Sequence, residues 1–192
     1  AETPCNDLYI ADRDGNNIRP LVRNPSTHDF TPVWSPDGEW IAYSQEGALK
    51  LIRPDVAEVK TLAENSQRAC PYAVAWSPNS QYMTWIGGTC GPNNNIADTV
   101  WVINRDGSEM RSIFRSGEMQ LGSGPQQGFV AWSPDGKLVA AMMETGIVYL
   151  IDANCLNQPN GCDETSRTLI NSIPAHWLPN FYPQWAGEDV SR

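Results

Sequence analysis

The chain of 192 residues is short of basic side chains, with 13 Lys+Arg against 22 Asp+Glu and a formal net charge of −9. A surface of that sign repels phosphate backbones, so nucleic acid is not expected as a partner, and a basic protein or a cation fits better. No apolar run reaches the roughly 18 to 20 residues of a spanning helix, so no transmembrane segment is expected. The opening Ala1-Glu2-Thr3-Pro4 has neither a basic nor an apolar leader region. Either a signal peptide has been removed or the numbering begins inside a longer precursor. Histidine is scarce: His28 and His176 are far in sequence from the five cysteines, none of which forms a close C-x₂₋₄-C pair. A zinc site is therefore not expected.

Motifs of chemistry are missing as well. There is no Gly-x-Ser-x-Gly nucleophile elbow, and Gly122-Ser123-Gly124-Pro125 lacks its spacing. Phosphate-cradling glycine loops and haem-attachment motifs are absent, so no cofactor is expected. Asp12-Arg13-Asp14-Gly15-Asn16 resembles the start of a calcium loop, but no Glu follows at the required place, and a hairpin turn explains it.

What is present is a folded composition, with 41% hydrophobic and 18% charged residues. That is too apolar for a disordered chain and sufficient for one substantial domain, read as residues 1–192. Fifteen Gly and fifteen Pro fit short strands and many turns. The deciding feature is a repeat. Val33-Trp34-Ser35-Pro36-Asp37-Gly38 recurs as Ala75-Trp76-Ser77-Pro78-Asn79-Ser80 and as Ala131-Trp132-Ser133-Pro134-Asp135-Gly136, with a worn copy at Gln184-Trp185-Ala186-Gly187. The marker tryptophans lie about fifty residues apart, a solenoid or propeller period. A second element alternates with the first: Leu8-Tyr9-Ile10, Leu49-Lys50-Leu51-Ile52, Val100-Trp101-Val102-Ile103 and Val148-Tyr149-Leu150-Ile151.

Each repeat reads as four strands, A to D. Strand A ends at the Trp, Ser-Pro-Asp-Gly turns into B, and Asp-Gly joins C to D. Strands B and C, β-branched and aromatic, suit a sheet covered on both faces. One such sheet cannot bury both faces alone, but radial stacking does, which predicts an all-β propeller of four-stranded antiparallel blades. The four tryptophans are expected to be blade-to-blade packing anchors.

The chain opens at strands C and D and ends at a strand A near residues 181 to 185. Strands from both termini would then complete a fourth blade and close the ring. The alternative is a piece of a larger propeller. The strand assignment puts Cys70 and Cys90 on one face of one blade, and Cys155 and Cys162 inside one C–D insertion, Asn154 to Ser166, so both pairs are disulfide candidates. Cys5 is left over. Five cysteines suggest an oxidising compartment, hence an extracytoplasmic location.

The Trp-Ser-Pro-Asp-Gly motif, followed by an apolar strand and an Asp-Gly hairpin, resembles the TolB-like propeller repeats, relatives of the WD repeat. The resemblance spans residues 8 to 187. It implies a periplasmic or external propeller that binds proteins, and similar propellers cap prolyl oligopeptidase-type serine peptidases. On the face formed by the D–A and B–C loops, the expected binding residues are His28, Asp29, Tyr72, Asn93, Asn94, Asn95, Gln126, Gln127, His176, Trp177, Phe181 and Tyr182. Exposed amides beside aromatics suit a protein or glycan surface. The expected function is a non-catalytic adaptor or scaffold subunit. The alternatives are the recognition domain of a larger serine hydrolase, or a propeller binding a glycan, a small ligand or Ca²⁺.

Overall fold

The computed structural model describes residues 7–23, 29–64, 71–89, 96–115, 129–142, 147–158 and 161–172. The described residues form fourteen strands and two short 3₁₀ turns. An opening pair, β1 (Leu8–Ile10) and β2 (Arg19–Val22), is followed by three complete blades. Blade I contains β3 (Asp29–Trp34), β4 (Ile41–Gln45), β5 (Ala48–Ile52) and β6 (Val59–Ala63). Blade II contains β7 (Tyr72–Trp76), β8 (Tyr82–Thr89), β9 (Ile96–Asn104) and β10 (Arg111–Arg115). Blade III contains β11 (Phe129–Trp132), β12 (Leu138–Met142), β13 (Ile147–Asp152) and β14 (Arg167–Ser172). Strands within each blade are sequential and antiparallel, as the repeat predicts. The predicted closing strand near residues 181 to 185 lies outside the described residues.

Packing follows from patterning. All five residues of β4 are buried, which is possible only because both faces of its sheet are covered. Between blades I and II, Trp40, Ala42, Leu49 and Leu51 meet Trp76, Met83, Trp85 and Ile103. Between blades II and III, Val100, Val102 and Phe114 meet Trp132, Val139 and Ile151. The A strands β3, β7 and β11 adjoin in order, and the sheets stack on that axis. Against blade I the opening pair contributes Leu8 and Leu21, which pack on Ile41, Tyr43 and Ile52.

The tryptophan expectation holds for two anchors and needs correcting at a third. Trp76 is 6% exposed and its indole Nε1 donates to the Val33 carbonyl of blade I at 3.1 Å. Trp132 is 8% exposed and donates to Thr84 Oγ1 of blade II at 3.0 Å. Trp34, by contrast, is 50% exposed. Its neighbour on that side is the opening pair, a two-stranded sheet with no strand A or B among the described residues to cover the indole. Trp185, Cys5, Cys70 and Cys90 lie outside the described residues.

Candidate binding surface

On the face expected to bind, Asp29 opens β3 and Tyr72 opens β7, so the fold brings these two backbone positions to the same end of adjoining strands. His28, Asn93, Asn94, Asn95, Gln126, Gln127, His176, Trp177, Phe181 and Tyr182 lie outside the described residues. Among the described residues, cavities open on the opposite face, where the A–B and C–D turns meet.

The A–B turns share one hydrogen-bond design. In blade I, Ser35 N–H donates to the Trp40 carbonyl at 2.8 Å, Trp40 N–H donates to Ser35 Oγ at 2.9 Å, and Ser35 Oγ donates to Asp37 Oδ1 at 2.6 Å. Blades II and III repeat these bonds around Ser77–Asn79 and Ser133–Asp135. The fourth turn position is left-handed, with Gly38 at φ +73 and Gly136 at φ +72. In blade II the residue there is Ser80, at φ +58, where a side chain is disfavoured. Its hydroxyl offsets that cost by accepting the Asp37 N–H of blade I at 3.1 Å.

The first junction is closed by charge. Arg105, in the C–D turn of blade II, donates to Asp37 Oδ2 at 2.6 Å, with Glu39 at 3.8 Å. Burial pushes the Asp37 carboxyl up, but hydrogen bonds from Ser35 and the Glu39 N–H, with the Arg105 charge, outweigh it and hold it below the ordinary carboxylate value. Asp135 is held low too, by the Ser133 hydroxyl and then the Lys137 N–H.

The second junction is open. A cleft of about 180 Å³ lies between blades II and III, lined by Asn79, Tyr82, Trp132, Asp135, Ala153, Asn154 and Asn157, among others. A wider hollow of about 460 Å³, sharing Leu156 and Asn157, continues past Glu109 and Arg111. Both run beneath the C–D insertion of blade III, which the sequence singled out. It forms a 3₁₀ turn over Ala153–Asn157 and a second over Glu164–Ser166, and Cys155 and Cys162 are joined by the expected disulfide. Asp152 caps the first turn through the Asn154 N–H at 2.9 Å, and Arg111 of blade II donates to the Leu156 carbonyl at 2.9 Å. The insertion is thus pinned to its own blade and to the one before it.

These cleft residues were missed by sequence reasoning, which weighed loop length and exposed amides on the other face. A signal did exist: aligning the repeats sets Trp40 against Tyr82, Asp37 against Asn79 and Arg105 against Ala153. Among the described residues, no group of three or more His, Cys, Asp or Glu could hold a metal ion, and the Asp12–Asn16 segment is a turn with Gly15 N–H on the Asp12 carbonyl at 2.9 Å. No helix among them is long and apolar enough to cross a membrane.

No protein-family model matches the chain. Over 82 residues it is 26% identical to the uncharacterized protein YidR of Escherichia coli (strain K12), covering 42% of this chain and 20% of that one. Among solved structures it is similar to a chain of the mitotic checkpoint complex, with a TM-score of 0.55 and 18% identity over 77% of this chain and 42% of the other. It is also similar to dipeptidyl peptidase 4 of Porphyromonas gingivalis, with a TM-score of 0.50 and 13% identity over 78% of this chain and 27% of that one. The chain therefore spans about a fifth of the curated relative and less than half of each solved chain. At such identities the likeness establishes the propeller fold and nothing about activity.

Proposed function

We propose that this chain is a TolB-like propeller module that binds another protein outside the cytoplasm, as an adaptor or scaffold subunit without chemistry of its own. The observation that carries the reading is the disulfide-clipped insertion of blade III standing over the cleft. The other described C–D connections are tight turns, so this one departs from what folding the repeat requires. Loops elaborated on a rigid scaffold are where binding resides. The Cys155–Cys162 bond favours an oxidising compartment.

The test places a photo-crosslinking residue at Asn157 and exposes the full chain to native extracellular or periplasmic extract. A single partner recovered at near one-to-one stoichiometry, and lost when residues 153–163 are replaced by a tight turn, is the expected result. Recovery of no stoichiometric partner counts against an adaptor. A chain found in the reduced cytosolic fraction overturns the location.

A further inference from the structure

The two junctions can be superimposed through their backbone bonds. Arg105 N–H donates to the Gln81 carbonyl at 2.9 Å, and Ala153 N–H donates to the Lys137 carbonyl at 2.8 Å. Each bond ties a C–D turn to the A–B turn of its own blade, so the side chains of Arg105 and Ala153 start from equivalent points. Two side chains of blade II then cross to Asp37 of blade I: Arg105 donates to its Oδ2, and Ser80 Oγ accepts its N–H. Neither bond has a counterpart between blades III and II. Ala153 ends at its Cβ, and Gly136, which stands where Ser80 stands, has no side chain. The cleft of about 180 Å³ is the space these two truncations leave, room for one long side chain.

What fits there is decided by Asn79, the counterpart of Asp37. Its Oδ1 accepts Ser77 Oγ at 2.7 Å and Gln81 N–H at 3.0 Å, and the second bond identifies that atom as the oxygen. Nδ2 therefore takes the place of Asp37 Oδ2. The backbone N–H of Asn79 in turn lacks the hydroxyl that Asp37 N–H finds in Ser80. Among the described residues neither donor has a partner. Where blade I meets its neighbour with a carboxylate oxygen, blade II thus offers two donors of one residue, which call for an acceptor and reject a cation. Asp135 does not change this. Its Oδ1 is committed to its own turn, and by the same superposition its second oxygen belongs to the junction that follows blade III.

An anion is disfavoured too, since no basic group lines the cleft and the chain carries a net charge of −9. A sugar ring finds no open indole face, because Tyr82 and Trp132 stack on each other, 12° from parallel, and Trp132 is buried. A neutral carbonyl remains. On the blade III side the cleft is lined by the carboxamides of Asn154 and Asn157, whose oxygens accept from an NH₂ group. Glutamine carries both functions on a stem long enough to follow the path that Arg105 takes in the first junction.

We propose that this cleft docks a partner polypeptide through an inserted glutamine side chain. Its carbonyl accepts from Asn79, and its NH₂ donates to the Asn154 and Asn157 carboxamides. The inference rests on the protein-binding reading above and adds its site and its chemistry.

The probes are acetyl-Gly-Gln-Gly-amide and its Ala, Glu and Arg counterparts, titrated into the ¹⁵N-labelled full chain by NMR. The glutamine peptide is expected to shift the backbone and side-chain amides of Asn79, those of Asn154 and Asn157, and the Trp132 indole, and the other three are not. Asn79→Asp restores the acceptor of the first junction. It should weaken the glutamine peptide about tenfold, the loss of one hydrogen bond, and turn the preference toward the arginine peptide. Ala153→Gln fills the cleft from within and abolishes binding while the thermal midpoint holds. Asn157→Trp closes the mouth from an exposed position and serves if Ala153→Gln misfolds. Equal shifts from the Gln and Ala peptides, a wild-type preference for Glu or Arg, an unchanged preference in Asn79→Asp, or full binding by the filled variants overturns the proposal. If the extract partner crosslinks equally to wild type and Ala153→Gln, the adaptor reading stands and the cleft assignment falls. If the glutamine peptide binds the cleft but no extract yields a partner, the outcome is reversed.

Discussion

At the scale of the residue, one sequence string yields two environments. Trp34 and Trp132 both precede Ser-Pro-Asp-Gly, yet the first is half exposed and the second is buried with its indole N–H on Thr84. Trp132→Ala is expected to cost about 3–5 kcal/mol in urea denaturation, since it opens a cavity and removes the indole N–H that Thr84 Oγ1 accepts. Trp34→Ala should cost less than about 1 kcal/mol. The turn aspartates make a second prediction. Asp14, Asp37, Asp106, Asp135 and Asp163 all titrate below the ordinary carboxylate value, through hydrogen bonds from residues two onward at Asp14, Asp106 and Asp163 and from the serine two residues before, then the N–H two onward, at Asp37 and Asp135, with the Arg105 charge adding at Asp37. Depressed folded values mean that the stability these groups lend is complete above the unfolded pKa, near 4, and is lost as pH falls through the folded values. The urea midpoint should be flat from pH 7 to 5 and decline below about 4. Asp37→Asn, which copies the non-titrating Asn79 of blade II, should reduce that decline.

At the scale of the element, the insertion of blade III is the part of the chain that leaves the repeat. Cys155 and Cys162 are seven residues apart in sequence, and a loop that small gives about 2–3 kcal/mol of stabilisation in the chain-entropy view. Cys155→Ser with Cys162→Ser should lower unfolding free energy by about that amount and free the loop proteolytically between Asn154 and Ser166. Strands, turns and this pairing were legible in the sequence because their causes are local: Ser, Pro, Asp and Gly make the turn themselves, and the two cysteines share one loop. The cleft was legible only in principle. It depends on Arg105 and Ala153 occupying equivalent points, and the backbone bonds to Gln81 and Lys137 establish that equivalence. Trp34 shows the complementary failure, since its exposure is set by the sheet beside it and not by its own string.

At the scale of the whole molecule, blades stabilise one another by contact, as in other stacked repeats. Blade II is packed on both faces, through the Trp85–Ile103 cluster on one side and the Val100–Val102 cluster on the other. The opening pair has only Leu8 and Leu21 fully committed to blade I, with Arg19 donating to the Pro54 carbonyl at its rim. Arg13 stands in the opening pair where Arg105 stands in blade II, but among the described residues it makes no ion pair and Asp135 pairs with Lys137 and with no arginine. The ends are therefore not joined there by the bond that joins blades I and II. Native-state hydrogen exchange should reflect this, since amides report the cheapest opening that frees them. Protection is expected to be greatest in β8 and β9 and least in β1 and β2, which should exchange by local opening well before global unfolding. Equal protection of β1 and β8 would mean that a further body of structure covers the opening pair, as ring closure or adjoining blades would require. Crosslinking Arg13→Cys to Asp135→Cys then separates the two, because only a closed four-bladed ring brings those positions together within one chain.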